Sequence, residues 1–143
     1  MQMDTGTSFS LSNYHNFLSL VHFDLGNLNE AKLHAEQGLN LAQTNQEKYL
    51  EGHSWIILGR TVGKIEKSQI DKAEEYILTG MKILDELKIK PYYTRGYFYL
   101  GELYANAGQK ERALEALKKA EAMFQEMGMS YDLARTKKLL ETV

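Results

Sequence analysis

Residues 97–120, YFYLGELYANAGQKERALEALKKA, decide how the chain folds. Tyr97, Leu100, Gly101 and Tyr104 recur at three- and four-residue steps and therefore share one face of a helix. Ala107-Gly108-Gln109 interrupts that pattern, and Ala113, Leu117 and Ala120 resume it on a second helix. A glycine in mid-helix costs about 1 kcal/mol relative to alanine, so Gly101 needs an offsetting contact. With no side chain at 101 and only methyl groups at 113 and 120, two antiparallel helices can come nearly into contact.

The same layout recurs upstream. Trp55, Leu58, Gly59 and Val62 match Tyr97, Leu100, Gly101 and Tyr104, and Ala73, Ile77 and Gly80 form the following small face. In a first copy Leu18-Ser19 stands opposite Leu100-Gly101, Gly26 opposite Gly108, and Ala31, Ala35 and Gly38 follow. The turns GNLNEA at 26 and GQKERA at 108 share Gly, spacer, Glu and Ala. The second and third copies resemble a tetratricopeptide repeat, with an aromatic residue, Leu-Gly, a second large residue, then Ala, a large apolar residue and a small one at fixed steps, and the first keeps the spacing with Ser19 as its small residue. Ala31, Ala73 and Ala113 mark periods of 42 and 40 residues, longer than the family's usual ~34. Such long repeats resemble the arrays of bacterial multidomain regulators.

The resemblance covers residues 12–140. It implies an all-α fold, a right-handed α-solenoid of antiparallel helix pairs, with three repeats at 12–45, 52–87 and 94–127. Residues 131–142 match the start of the third repeat, Arg135 with Arg95 and Leu140 with Leu100. They are expected to form a seventh, capping helix over the apolar end of the stack. Residues 1–9 are expected to be a disordered tail or an expression remnant, and residues 10–143 one domain. Ser10 or Ser12 and Ser130 are candidate helix caps, as is a Ser68–Asp71 capping box. Pro91 suits a first helical turn. Two extra residues fall in 63–69, lengthening either a loop or a helix end.

Composition narrows function. A net charge of −2 among 143 residues gives no global reason to bind nucleic acid or anionic membrane. No cysteine is present, which removes disulfide and thiol chemistry. No apolar run approaches the roughly 20 residues of a membrane span, and residues 1–7 lack a signal-peptide pattern, so a soluble, cytoplasmic protein is expected. An enzyme is not expected. His15 and His22 stand seven apart on one helical face, with no carboxylate or third histidine in sequence to complete a metal set, and HExxH is absent. His34 and His53 have no motif around them, and the glycines form no phosphate loop. Neither a metal nor any other cofactor is implied, nor a small-molecule substrate.

What remains is a concave groove lined by first helices, as the resemblance implies. Its expected walls are Asn16, Phe17, Leu20 and Asp24, then His53, Ile56, Ile57, Arg60 and Lys64, then Arg95, Phe98, Tyr99, Glu102 and Asn106, and finally Arg135 and Lys138. Five cations against two carboxylates in that set point to an acidic or amphipathic peptide or helix. The two-carboxylate clamp known in some repeats of this kind needs a Lys/Asn/Asn/Lys/Arg set. The matching positions are Asn16, Leu20, Ile57, Arg95 and Tyr99, and only Arg95 supplies the required charge. Two alternatives stand beside peptide binding: self-association through Phe9, Leu11, Phe17 and Leu18, and an intramolecular role within a larger signalling protein.

Overall fold

In a computed structural model, residues 10–143 are described and form seven α-helices with no strand among them: α1 (Leu11–Asp24), α2 (Leu28–Thr44), α3 (Lys48–Ile65), α4 (Ile70–Glu86), α5 (Lys90–Asn106), α6 (Lys110–Met127) and α7 (Ser130–Thr142). The expected tail, residues 1–9, lies outside the described residues. Helices pair in order, α1 with α2, α3 with α4 and α5 with α6, and α7 packs on α6. Successive first helices also touch one another, α1 on α3, α3 on α5 and α5 on α7, while successive second helices make no comparable contact. The first helices therefore form the inner, tighter wall of an all-α solenoid.

The small faces read from the sequence are the seams. Ala31, Ala35, Ala73, Ala113 and Ala120 are fully buried, and Ile77, Leu117 and Phe124 fill the space between them with no exposed surface. Each large side chain buried in this way stabilises by about 1.5–3 kcal/mol. Close approach has two forms. A methyl group on Gly59 would lie 2.7 Å from the backbone carbonyl oxygen of Ala73, so α3 and α4 nearly touch there. At Gly101 the space is taken by the Leu117 side chain, not by the backbone beside Ala113 or Ala120. The third repeat thus uses its glycine as a socket for leucine.

Five connectors end on one device, in which the amide two or three residues past the helix bonds back to the carbonyl five residues earlier. The bonds are Asn27 to His22, Glu47 to Ala42, Ile89 to Leu84, Gln109 to Tyr104 and Met129 to Phe124, at 2.8–3.0 Å. The device needs a left-handed residue. Gly26, Gly108 and Gly128 supply it without strain, but at two connectors it is Gln46 (φ 57°) and Lys88 (φ 63°). Without a glycine to mark that turn, the start of α3 is displaced from the sequence expectation: the helix begins at Lys48, not near Gly52.

The α3–α4 connector is different. The two extra residues are divided, one lengthening α3 to Ile65 and one entering a short 3-10 turn at Lys67–Gln69. That turn displaces the expected Ser68 cap, since Gln69 occupies the cap position and makes no side-chain bond there. Ser130 likewise lies inside α7, with Met129 at the cap. Ser10 does cap α1, its hydroxyl accepting from the Asn13 amide at 3.0 Å. Pro91 lies in the first turn of α5.

Candidate functional site

The inner wall encloses an open pocket of about 620 Å³. It takes Asn13, Tyr14, Asn16, Phe17 and Leu20 from α1, His53 from α3, Tyr92, Arg95 and Tyr99 from α5, and Tyr131, Asp132 and Arg135 from α7. Six residues anticipated for a groove are on this wall: Asn16, Leu20, His53, Arg95, Tyr99 and Arg135. Phe17, named with them, is also there. It is 61% exposed and Tyr131 is 74% exposed, so the pocket's two rims carry aromatic rings turned to solvent.

The other anticipated residues are elsewhere. Ile56, 1% exposed, packs into the core, where it faces Gly80 of α4. Ile57 is equally buried. Phe98 is buried beneath the Arg135 guanidinium, 4.6 Å from its ring centre. Lys64 and Lys138 are exposed and outside the pocket.

Arg60 and Glu102 are bonded to each other. Arg60 donates to both Glu102 carboxylate oxygens at 2.9 and 3.3 Å and stacks on Phe23 at 3.7 Å, with 8% of the residue exposed. Their place is between α3 and α5, not on the pocket wall. The helix step that aligns Arg60 with the groove also aligns it with Glu102, one repeat along the same inner face.

Arg95 repeats the arrangement, donating to both oxygens of Asp132 at 3.0 and 3.1 Å from α5 to α7. A neutral counterpart joins α1 to α3: the Ser54 hydroxyl donates to Asn16 Oδ1 at 2.8 Å. Polar rungs thus tie each first helix to the next, and two of the five expected cations, Arg60 and Arg95, are neutralised in them. Of the five cations in that set, Arg135 is the one on the pocket wall that makes no salt bridge among the described residues.

Two polar atoms on the wall are buried without a hydrogen-bond partner, Asn16 Nδ2 and His53 Nδ1. Burial and the neighbouring Arg95 charge push the His53 imidazole down from 6.5 to about 4, so it is neutral near pH 7. Its ring packs on Tyr92 at 4.5 Å. A neutral imidazole offers one donor and one acceptor, and a buried polar atom left unpaired costs about 1–3 kcal/mol. The wall therefore offers an amide donor and an imidazole nitrogen beside exposed aromatic rings.

A separate cluster lies where α1 meets α2. His34 of α2 lies between His15 and His22 of α1, with ring centres 5.1 and 5.5 Å away, the second pair within 2° of parallel. His15 Nδ1 and His34 Nδ1 are 2.9 Å apart, a hydrogen-bonded pair. Burial and His34 lower the His15 pKa below its ordinary value. Potential ligand atoms of His22, Glu30 and His34 all lie within 4.8 Å of one another. The third histidine and carboxylate missing from α1's own sequence are brought in by α2.

No family model matches the chain, and no curated protein does. Among solved structures, aspartyl phosphate phosphatase F from Bacillus subtilis superposes with a TM-score of 0.70 at 22% identity. The fold is a helical-repeat solenoid. The match covers 90% of this chain but 33% of the other, so the chain spans about a third of that protein's length.

Within the solenoid, Asn13, Tyr14, Tyr92, Tyr131 and Asp132 are pocket residues that sequence reasoning missed. Tyr131 and Asp132 open α7, whose match to the third repeat carried a signal: Tyr131 falls opposite Pro91 and Asp132 opposite Tyr92, at the pocket end of α5.

Proposed function

We propose that the chain is a protein-interaction module of the tetratricopeptide type that binds a peptide or partner helix in the inner pocket. The observation that carries this reading is the pairing of buried, unpartnered Asn16 Nδ2 and His53 Nδ1 with exposed Phe17 and Tyr131 on one wall. A peptide group would supply a carbonyl for the amide and a partner for the imidazole once the buried Asn16 and His53 side chains turn toward the pocket. Its side chains supply apolar surface for the rings, and aromatic anchors of this kind carry much of the energy in interfaces. A volume of about 620 Å³ suits one or two anchoring side chains rather than a whole domain.

The ligand's preferred character shifts from acidic to apolar or aromatic, with at most one carboxylate directed at Arg135. Catalysis is not part of the reading. The wall's titratable groups include the Arg95–Asp132 ion pair and a histidine held neutral, not an activated nucleophile with its base.

Selection of displayed random peptides, followed by anisotropy measurements on resynthesised winners, tests it. Phe17→Ala and Tyr131→Ala, both at exposed positions that leave the core intact, should each weaken binding by about 10-fold, or ~1.4 kcal/mol. Winners that bind both variants as tightly as the parent would place the ligand elsewhere.

Self-association is the second reading. Leu11 is 56% and Phe17 61% exposed on α1, so a second copy could cover the same rim. Phe9, also named for this contact, lies outside the described residues. Light scattering across a concentration series separates the two readings, because a dimer should fail to take up peptide in proportion to its mass fraction.

A further inference from the structure

The histidine cluster lies apart from the pocket, and the binding reading does not use it. We propose that His22, Glu30 and His34 form a site for a divalent transition-metal ion of the zinc, cobalt or nickel class, with His15 positioning His34.

The placement follows from helix geometry. Glu30 and His34 are four apart on α2, and His15 and His22 seven apart on α1, so each pair shares a face. Pairing of α1 with α2 lays the two faces together, and the candidate ligand atoms gather within 4.8 Å. Tetrahedral coordination with metal–nitrogen bonds of about 2.0–2.1 Å places ligand atoms roughly 3.3 Å apart. Side-chain rotation has to close the remaining ångström or so and tilt the stacked His22 and His34 rings so that both in-plane lone pairs meet the ion, which an exposed Glu30 and half-buried histidines allow.

The donor set selects the ion. Imidazole nitrogens with one carboxylate suit zinc and its neighbours, whereas magnesium and calcium take oxygen ligands. His15 has the place of an outer partner. If the His34 Nδ1–H donates to His15 Nδ1 across their 2.9 Å contact, His34 Nε2 keeps its lone pair for the metal. With three protein ligands, the fourth position is left to water. The ion would tie α1 to α2.

Calorimetric titration of zinc chloride into the untagged, chelator-stripped chain should give one site with a Kd of about 10 µM or tighter. Glu30→Gln and His34→Gln should each weaken it by roughly 100-fold, with circular dichroism checking that both remain helical. His15→Ala should weaken it by about 10-fold to 100-fold and shift the visible absorption band of the cobalt-loaded chain. Millimolar magnesium should not compete. Absence of zinc binding below about 100 µM, or binding unchanged in both Glu30→Gln and His34→Gln, overturns the site.

Discussion

Gln46 and Lys88 occupy the left-handed position that Gly26, Gly108 and Gly128 occupy at the other connectors. A side chain there costs about 1 kcal/mol, and both residues are exposed, so no packing would be lost by trimming them. Lys88→Gly should therefore raise stability by about 0.5–1 kcal/mol in urea unfolding, with an unchanged slope. The same substitution explains why the start of α3 was hard to read: a turn is visible when its residue is glycine and hidden when context forces glutamine into that shape.

His53 gives the clearest pH signature. Its folded pKa of about 4 lies below its ordinary 6.5, so between those values the unfolded chain binds a proton that the folded chain does not. Its contribution to stability is full above pH 6.5 and declines as pH falls toward 4, by roughly 3 kcal/mol. His53→Gln should flatten that part of a stability-against-pH curve. A curve identical to the parent's would mean that the imidazole reaches solvent and titrates freely.

Among the elements, the apolar seams and the polar rungs have different legibility. The seams were readable because each needs only a local period, small residue then large then small, on one helix. Leu100, 4% exposed in the core, follows from that period, and Leu100→Ala should cost about 2–5 kcal/mol.

The rungs pair residues 37 to 42 positions apart, and the sequence shows the charge without its partner. Arg95 accordingly looked like a free groove cation, when it is held by Asp132. Arg60→Ala would strand Glu102 beside a buried gap and should cost about 3 kcal/mol. Double substitution of Arg60 by Met and Glu102 by Leu should recover much of that loss. If the single change proves neutral by thermal unfolding, the rung is not a stabilising contact.

For the whole molecule, order and pairing of helices were legible, and the contents of the groove only in part. Seven of the sixteen anticipated wall residues line the pocket, because helical periodicity places a residue on a face but not at a depth. Ile56 shares the α3 helix with His53, yet it points to α4 and the core. The histidine cluster was invisible for a related reason: its two halves lie on different helices, and their register depends on how α1 packs against α2.

The rungs also imply a polarity along the stack. Arg60 of α3 reaches forward to Glu102 of α5, and Arg95 of α5 to Asp132 of α7. Arg135 of α7, at the position that matches Arg95, rests over Phe98 with no carboxylate to meet among the described residues. It is an unfilled valence. A helix or peptide that docked against α7 with an acidic group in register would repeat the joint once more, so on the binding reading proposed above the stack's internal joint would also be the template for its ligand.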